Sequence, residues 1–224
     1  MMTIILQQMT LIIHTDFMRH SKKDKAASHE RILEVASARM RESGTEAPGV
    51  AEIMNAAGLT HGGFYKHFAS RDDLVAEALA KAFADTEAAT APLLQDADDP
   101  LAAFVDSYAS IAHCENPATG CAIPMLGCDV ARGDDRLRAV YRGQIERYLA
   151  FLEQQLGPGD DARQRAVVAL SSLVGAVLVA RAVDDKALAE EILHDVRTAV
   201  KSSNRHQPMA TTSTARTKRD SRRR

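Results

Sequence analysis

Residues 57–75, AGLTHGGFYKHFASRDDLV, combine glycine with side chains that donate hydrogen bonds or carry positive charge. Two adjacent glycines, Gly62 and Gly63, each cost about 1 kcal/mol relative to alanine in a helix. Close approach of the backbone to a large partner would offset that cost. Hydroxyl, lysine and imidazole groups beside exposed backbone N–H groups are suited to phosphate binding. The composition of this stretch indicates binding chemistry.

The elements that carry this stretch are predicted to be two short helices joined at Gly58. The first has apolar positions at Val50, Ile53, Met54 and Ala57, and the second begins with Thr60 as N-cap and ends near His67. Phe64 and Phe68 lie four residues apart and are expected to anchor the second helix to a core. Glycine tolerates the positive φ that such a turn needs, so the pattern predicts a helix-turn-helix.

From Arg31 to Leu79 the chain resembles the TetR (tetracycline-repressor-like) family of transcriptional regulators. The residues that carry the resemblance are RILEVASARMRESGTEAPGVAEIMNAAGLTHGGFYKHFASRDDLVAEAL, above all GLT-x-GG-FY-x-HF followed by DDL. The resemblance implies an all-α protein with an N-terminal three-helix DNA-binding head and a linking helix. It also implies a divergent helical domain that binds a small molecule and dimerises.

The resemblance also implies which residues bind the operator, a double-stranded DNA partner. The expected DNA-binding residues are Thr60, His61, Gly62, Gly63, Tyr65, Lys66 and His67, with Arg71 at a phosphate. Two positions depart from the family pattern. Met40 replaces the usual phenylalanine, and Pro48-Gly49 replaces the usual serine or threonine cap of the second helix.

The chain is expected to divide into four parts. Residues 1–25 are predicted to be a disordered extension, with Met18 as an alternative start. Residues 26–70 form the helix-turn-helix domain, and 71–201 form the helical ligand-binding and dimerisation domain, in which 71–90 is the linking helix. Further helices are predicted near 101–114, 121–132, 134–156, 161–183 and 186–200. Residues 202–224 carry seven basic residues against one acidic residue and are predicted to be a disordered arm.

Three cysteines, Cys114, Cys121 and Cys128, lie within fifteen residues. The favoured interpretation is that they pack as small buried hydrophobes, with Cys121 and Cys128 on one helix face together with Met125. The alternative is a thiol-based redox or electrophile sensor, in which His113 lowers the pKa of a thiol. No CxxC or HxxxH spacing supports a metal site, and no cofactor is expected.

The effector site has no motif, and its candidates are aromatic and sulfur side chains of the second region: Phe104, Tyr108, Cys121, Met125, Tyr141 and Tyr148. The helix 161–183 is apolar around most of its circumference and is expected to form a homodimer interface, with Leu173 or Val177 as partner-facing residues.

No catalytic constellation is present in the sequence, so an enzyme is not expected. The absence of a convincing signal peptide or membrane span predicts a cytoplasmic protein. The functional prediction is a repressor that a small molecule releases from a palindromic operator.

Overall fold

The computed structural model describes residues 2–46 and 49–203, with side chains from Lys22 onwards, and every regular element in these ranges is helical. The predicted all-α fold is therefore confirmed. The elements in chain order are α1 (Met2–Ser43), α2 (Val50–Ala56), the 3-10 helix η1 (His61–Lys66), α3 (Arg71–Gln95), α4 (Pro100–Tyr108), α5 (Ile111–Glu115), α6 (Ala122–Arg132), α7 (Asp135–Leu156), α8 (Ala162–Ala182) and α9 (Lys186–Ser203).

The first helix begins much earlier than the sequence pattern suggests. Helical periodicity starts near Ala26, yet α1 runs from Met2 to Ser43. No glycine or proline occurs before Gly44, so no residue in this segment interrupts the helix. The described part of the segment predicted to be a disordered extension is therefore helical. Its side chains before Lys22 lie outside the described residues, as does the basic arm from residue 204 onwards.

The N-terminal elements share one apolar core. Its most enclosed side chains are Ile32, Met54, Phe64, Phe68 and Leu74, each at most 3% exposed. Met40 is also buried, as expected of an apolar residue that replaces phenylalanine. The two phenylalanines of the opening stretch thus hold η1 against α1 and α2, and they leave the opposite side of η1 to solvent.

Glycines with positive φ produce the two turns of this region. Gly44 ends α1 at φ +84°, and Gly58 joins α2 to η1 at φ +73°. Gly49 is the N-cap of α2 and has no side chain to accept a hydrogen bond from the first turn. The departure from the family pattern at residue 49 therefore leaves α2 without a side-chain cap.

The linking helix α3 is longer than predicted. It begins at the N-cap Ser70, whose Oγ accepts the Asp73 N–H at 3.1 Å, and continues past residue 90 to Gln95. Pro92 lies inside it and lacks the N–H that would bond to Ala88. The Pro92 carbonyl still accepts the Asp96 N–H at 3.1 Å, so the proline removes one bond and does not end the helix. The predicted domain boundary at residue 70 stays a prediction.

The segment predicted as one helix near 101–114 is two helices. The chain leaves helical geometry at Ala109, and Ser110 caps α5 by accepting the His113 N–H at 3.1 Å. A serine that competes for backbone hydrogen bonds explains the break. The remaining predicted helices agree with α6 to α9 within about three residues.

Helices α7, α8 and α9 pack together at the C-terminal end, and one face of α8 is uncovered. Val168 and Leu178 are 58% and 50% exposed, and a Cβ added at Gly175 would have no neighbour within 4 Å. Leu173 and Val177, the residues predicted to face a partner, are instead fully buried within their own subunit. By length and composition α8 could cross a membrane, although 39% of its most apolar stretch is buried.

Candidate nucleic-acid interface and cavity

The polar stretch folds as a 3-10 helix where the sequence predicted a short α-helix. Gly63 N–H donates to the Thr60 carbonyl and His67 N–H to the Phe64 carbonyl, each at 2.9 Å, three residues apart. Two glycines in its first turn weaken α-helix formation. Thr60 occupies the predicted N-cap position with extended backbone, but its hydroxyl accepts no capping bond.

Most of the predicted DNA-binding residues form one exposed surface, which we call the η1 surface. It consists of Thr60, His61, Gly62, Tyr65 and Lys66. The Tyr65 side chain is 77% exposed, which is unusual for so large an aromatic residue. This surface offers exposed hydroxyl, imidazole and ammonium groups side by side.

The two glycines of η1 have different surroundings. A Cβ at Gly63 would contact Met54 Cε at 3.6 Å, so this glycine faces the neighbouring helix α2. A Cβ at Gly62 would have nothing within 4 Å, and the φ of Gly62 is not positive. Neither packing nor backbone conformation therefore requires glycine at Gly62.

His67 and Arg71, also predicted to contact DNA, are engaged within the protein. The His67 ring is half-buried, lies 5.9 Å from the His29 ring, and has a pKa lowered chiefly by burial. Arg71 donates from Nη2 to the Thr45 carbonyl and pairs with Glu46 across 3.5 Å. The structure thus separates these two residues from the η1 surface.

A basic segment outside the predicted DNA-binding residues also lies near η1. Lys22, Lys23 and Lys25 are exposed on α1, and the Lys25 charge contributes to the lowered pKa of His67. Lys25 is therefore close to the end of η1. The run SKKDK indicates this segment in the sequence, although it falls within the residues predicted to be an extension.

A cavity of about 300 Å³ opens between α3, α4, α5 and α7. Four of the six predicted effector residues line it: Phe104, Tyr108, Cys121 and Tyr148. The remaining lining residues are Thr86, Ala89, Thr90, Leu93, Leu94, Ser107, Ser110, Ala112, His113, Asn116, Thr119 and Gly120.

Two predicted effector residues lie away from this cavity. Met125 packs against the core, and Tyr141 donates from Oη to the Ile123 carbonyl at 3.1 Å. Burial raises the pKa of Tyr141 to about 12. Helix spacing alone could not distinguish these core positions from the residues that line the cavity.

One wall of the cavity is an aromatic and imidazole cluster. The rings of Phe104 and Tyr108 have centroids 5.5 Å apart, and those of Tyr108 and His113 are 5.0 Å apart. His113 Nδ1 lies 2.6 Å from the Tyr108 carbonyl, while its Nε2 accepts the Cys121 N–H at 2.9 Å. His113 thereby connects α5 to the start of α6.

The three cysteines have different environments. Cys121 is buried at the N-cap of α6, Cys114 is half-buried, and Cys128 is exposed. The prediction that Cys121 and Cys128 share a face is wrong, because Cys121 precedes the helix. Burial raises the pKa of both Cys114 and Cys121, whereas the sensor interpretation required a lowered thiol pKa.

Two contacts connect the cavity wall to the helix-turn-helix. Arg41 of α1 is 4% exposed and donates from Nη1 to the Gly120 carbonyl of the cavity at 3.5 Å. Asp129, near the end of α6, accepts the Thr45 N–H at 2.8 Å. Helix α6 thus contacts the cavity at one end and the turn after α1 at the other.

Comparisons with known proteins agree with this architecture. Residues 32–78 match the family described as bacterial regulatory proteins, tetR family. An uncharacterized HTH-type transcriptional regulator of Mycobacterium tuberculosis is 27% identical over 167 residues, which cover 68% of this chain and 83% of the relative.

Solved structures share the fold at lower sequence identity. A TetR transcriptional regulator from Chloroflexus aurantiacus has a TM-score of 0.70 and 24% identity, and covers 80% of this chain and 96% of its own. The reduced form of E. coli NemR has a TM-score of 0.67 and 20% identity, with 78% and 95% covered. The chain therefore resembles the tetR family of bacterial regulatory proteins through residues 32–78, and it shares the all-α fold of these solved regulators.

Proposed function

We propose that the protein is a ligand-responsive repressor that binds a palindromic operator as a homodimer and is released by a small molecule. The observation that supports the proposal is that two contacts join the wall of a partly open cavity to α1 and the turn after it, in the domain that carries the η1 surface. Arg41 and Asp129 make these contacts and so form one contact path. A ligand that favours one arrangement of the path would shift the population of DNA-binding-competent subunits.

The η1 surface is proposed to enter a major groove. His61 and Lys66 are the side chains expected to contact DNA directly, and Gly62 allows the backbone to come close. The lysines at 22–25 and the basic arm at 202–224 would add contacts to phosphates that do not depend on sequence. His67 and Arg71 would support η1 and the preceding turn from within the protein.

The uncovered face of α8 supports the proposed homodimer. Val168, Gly175 and Leu178 lie on one side of the helix. Together they form an exposed apolar patch of the kind that marks a protein interface. Arg165 donates to the Leu156 carbonyl at 2.6 Å, and α8 packs on α7 and α9, which favours a protein interface over a membrane. We accordingly propose a cytoplasmic dimer with a two-fold axis.

Sequencing the genomic DNA retained by purified full-length protein tests the DNA-binding part. The proposal expects an inverted repeat whose half-sites lie about 34–36 Å, one helical turn, apart or a multiple of it. Retention of DNA without a shared motif, or of a motif without two-fold symmetry, would contradict the proposal.

Release by a small molecule is tested by filling the cavity. Ala89 lines the cavity on α3, so Ala89→Trp should occupy part of its volume and leave the η1 surface unchanged. We expect this variant to bind the recovered operator like wild type, and to resist release by any compound that releases wild type. Equal release of both proteins would place the effector elsewhere.

The alternative function is thiol-based sensing with Cys114, Cys121 or Cys128. The observation that favours it is the exposure of Cys128, together with the likeness to a protein solved in a reduced form. Replacing all three cysteines by alanine separates the two functions. Oxidant-driven release that disappears in the triple variant would establish the alternative, whereas release by a small molecule that survives the replacement supports our proposal.

A further inference from the structure

None of the described residues that line the cavity is an aspartate, glutamate, lysine or arginine, so these residues give its walls no formal charge. Its apolar lining includes Leu93, Leu94, Phe104 and the rings of Tyr108 and Tyr148. A charged ligand would lose its hydration there without gaining an opposite charge.

His113, the one imidazole among the described residues of the wall, is held neutral by its hydrogen bonds. A carbonyl can only accept, so Nδ1 donates to Tyr108, and Nε2 must then lack a proton to accept from Cys121. Burial lowers the pKa of His113, in agreement with this tautomer. His113 therefore gives the cavity neither a positive charge nor a free donor.

Several other polar groups in the wall already have partners in their own helices. Thr86 and Thr90 donate to carbonyls of α3 at 2.9 Å, and Asn116 donates to the Ala112 carbonyl at 2.7 Å. Tyr108 differs from them. Its side chain is 6% exposed, and among the described residues its hydroxyl has no oxygen or nitrogen partner and only the Cys121 thiol, a weak acceptor, beside it. A buried hydroxyl with so weak a partner is costly, and a ligand oxygen that accepts from it reduces that cost.

We propose that the effector is an uncharged, mainly apolar molecule that carries one hydrogen-bond acceptor, such as a carbonyl oxygen, which binds the Tyr108 hydroxyl. The inference rests on the proposed function in one respect, that occupation of this cavity controls DNA binding. A volume of about 300 Å³ limits the ligand to a compact molecule of one to three rings or a similar aliphatic skeleton.

Two buried arginines lie near this wall and raise the question of an anionic ligand. Arg41 donates to the Ala82 and Gly120 carbonyls, and Arg181 donates to the His113 and Cys114 carbonyls. Both guanidinium groups bind the backbone, although Arg41 Nε and Arg181 Nη1 are buried without a hydrogen-bond partner among the described residues. Because neither residue lines the cavity and the lining itself carries no positive charge, a neutral ligand is favoured over a carboxylate.

Three probes of nearly equal shape test the inference by direct calorimetric titration of the full-length protein. They are 2-acetylnaphthalene, 2-isopropenylnaphthalene, which replaces the carbonyl oxygen by CH₂, and 2-naphthoate, which adds a negative charge. We expect 2-acetylnaphthalene to bind roughly two- to tenfold more tightly than the isopropenyl compound, the ratio that one hydrogen bond supplies. We expect 2-naphthoate to bind weakest.

Tyr108→Phe and Tyr148→Phe form a matched pair, because both residues line the cavity and both changes remove one hydroxyl. Tyr108→Phe should bind the acetyl and isopropenyl compounds equally, with a melting temperature equal to or above that of wild type. Tyr148→Phe should retain the preference for the acetyl compound. Loss of the preference in Tyr148→Phe alone, tightest binding of 2-naphthoate, or no binding of any probe would overturn the inference.

A DNA-release assay with the same probes separates this inference from the proposed function. Binding with the expected preference but without release of operator DNA would support the cavity chemistry and contradict ligand-controlled repression. Release that is equal for the acetyl and isopropenyl compounds in wild type and in Tyr108→Phe would support ligand control and overturn the role of Tyr108.

Discussion

Gly62 gives the sharpest prediction at the scale of single residues. Gly62→Ala meets no neighbour and requires no positive φ, so we expect the free energy of unfolding to rise by about 0.5–1 kcal/mol. The added methyl group would lie between η1 and DNA, so operator affinity should fall at least roughly tenfold. Thermal unfolding and fluorescence anisotropy measure the two effects.

Gly143→Ala is the matched control for this prediction. Gly143 lies inside α7, where an added Cβ meets only Arg147 Nη1 at 3.8 Å. It should show the same gain in stability with wild-type operator affinity. A Gly62→Ala protein that binds the operator as tightly as wild type would mean that the backbone of η1 stays away from DNA.

His113 predicts how stability depends on pH. Burial lowers the pKa of His113 below 6.5 in the folded protein, so below pH 6.5 the unfolded chain binds more protons. The contribution of His113 to the free energy of unfolding should therefore be fully present above pH 6.5 and should decrease as the pH falls below 6.5. Burial lowers the pKa of His67 too, which acts with the same sign.

His113→Asn separates the two histidines in this pH dependence. Urea unfolding between pH 7.5 and 5 should show a shallower decrease in stability for the variant than for wild type. Parallel curves for the two proteins would contradict the neutral state assigned to His113.

At the scale of elements, the sequence predicts a helix end correctly where a nearby glycine or capping residue determines it. Gly44, Gly58 and Ser70 end or begin helices as predicted, and Phe64 with Phe68 anchors η1. The sequence did not reveal the break after Tyr108, because Ser110 acts as a cap only when the chain turns there. Nor did it predict the partners of Arg71, which depend on how the turn after α1 packs in three dimensions.

The cavity was predicted only in part for the same reason. Helical periodicity shows that a residue lies on the apolar face of its helix. It does not show whether that face packs against the core or lines a cavity. Tyr141 and Tyr148 lie on the same helix, yet Tyr148 lines the cavity and Tyr141 bonds to the Ile123 carbonyl. Whether a side chain of α7 lines the cavity or packs in the core depends on how α7 contacts α3 and α4.

The contact between α6 and the turn after α1 is the element-scale prediction. Asp129→Ala removes the acceptor of the Thr45 N–H, a bond to a charged group, so stability should fall by about 1–3 kcal/mol. The cavity is unchanged, so 2-acetylnaphthalene should bind as in wild type, while its effect on operator affinity should decrease. Calorimetry and anisotropy on the same samples measure both quantities.

Arg132→Ala controls for the other partner of Asp129. Arg132 contacts only the second carboxylate oxygen, at 2.7 Å, and its side chain is 72% exposed. We expect Arg132→Ala to change neither the free energy of unfolding nor the effect of 2-acetylnaphthalene on operator affinity by much. A full ligand effect on DNA binding in Asp129→Ala would show that α6 does not transmit the signal through this contact.

At the scale of the whole molecule, the uncovered face of α8 predicts the assembly. Leu178→Arg places a charge on that face without entering the subunit core, since Leu178 is 50% exposed. We expect a folded, helical monomer with greatly weakened operator binding, whereas light scattering should show wild type to be a dimer at micromolar concentration. Gln154→Arg, an exposed change on α7, should remain dimeric. A monomeric wild type would contradict the dimer.

The most direct test of the central claim is the affinity of the dimer for operators of altered spacing. If two η1 surfaces on a two-fold axis bind two major grooves, about 5 extra base pairs between the half-sites rotate one groove to the opposite side. We expect anisotropy to show that affinity falls to nearly that of a single half-site. Leu178→Arg should bind both operators equally weakly. Wild-type affinity that is independent of the spacing would contradict the account.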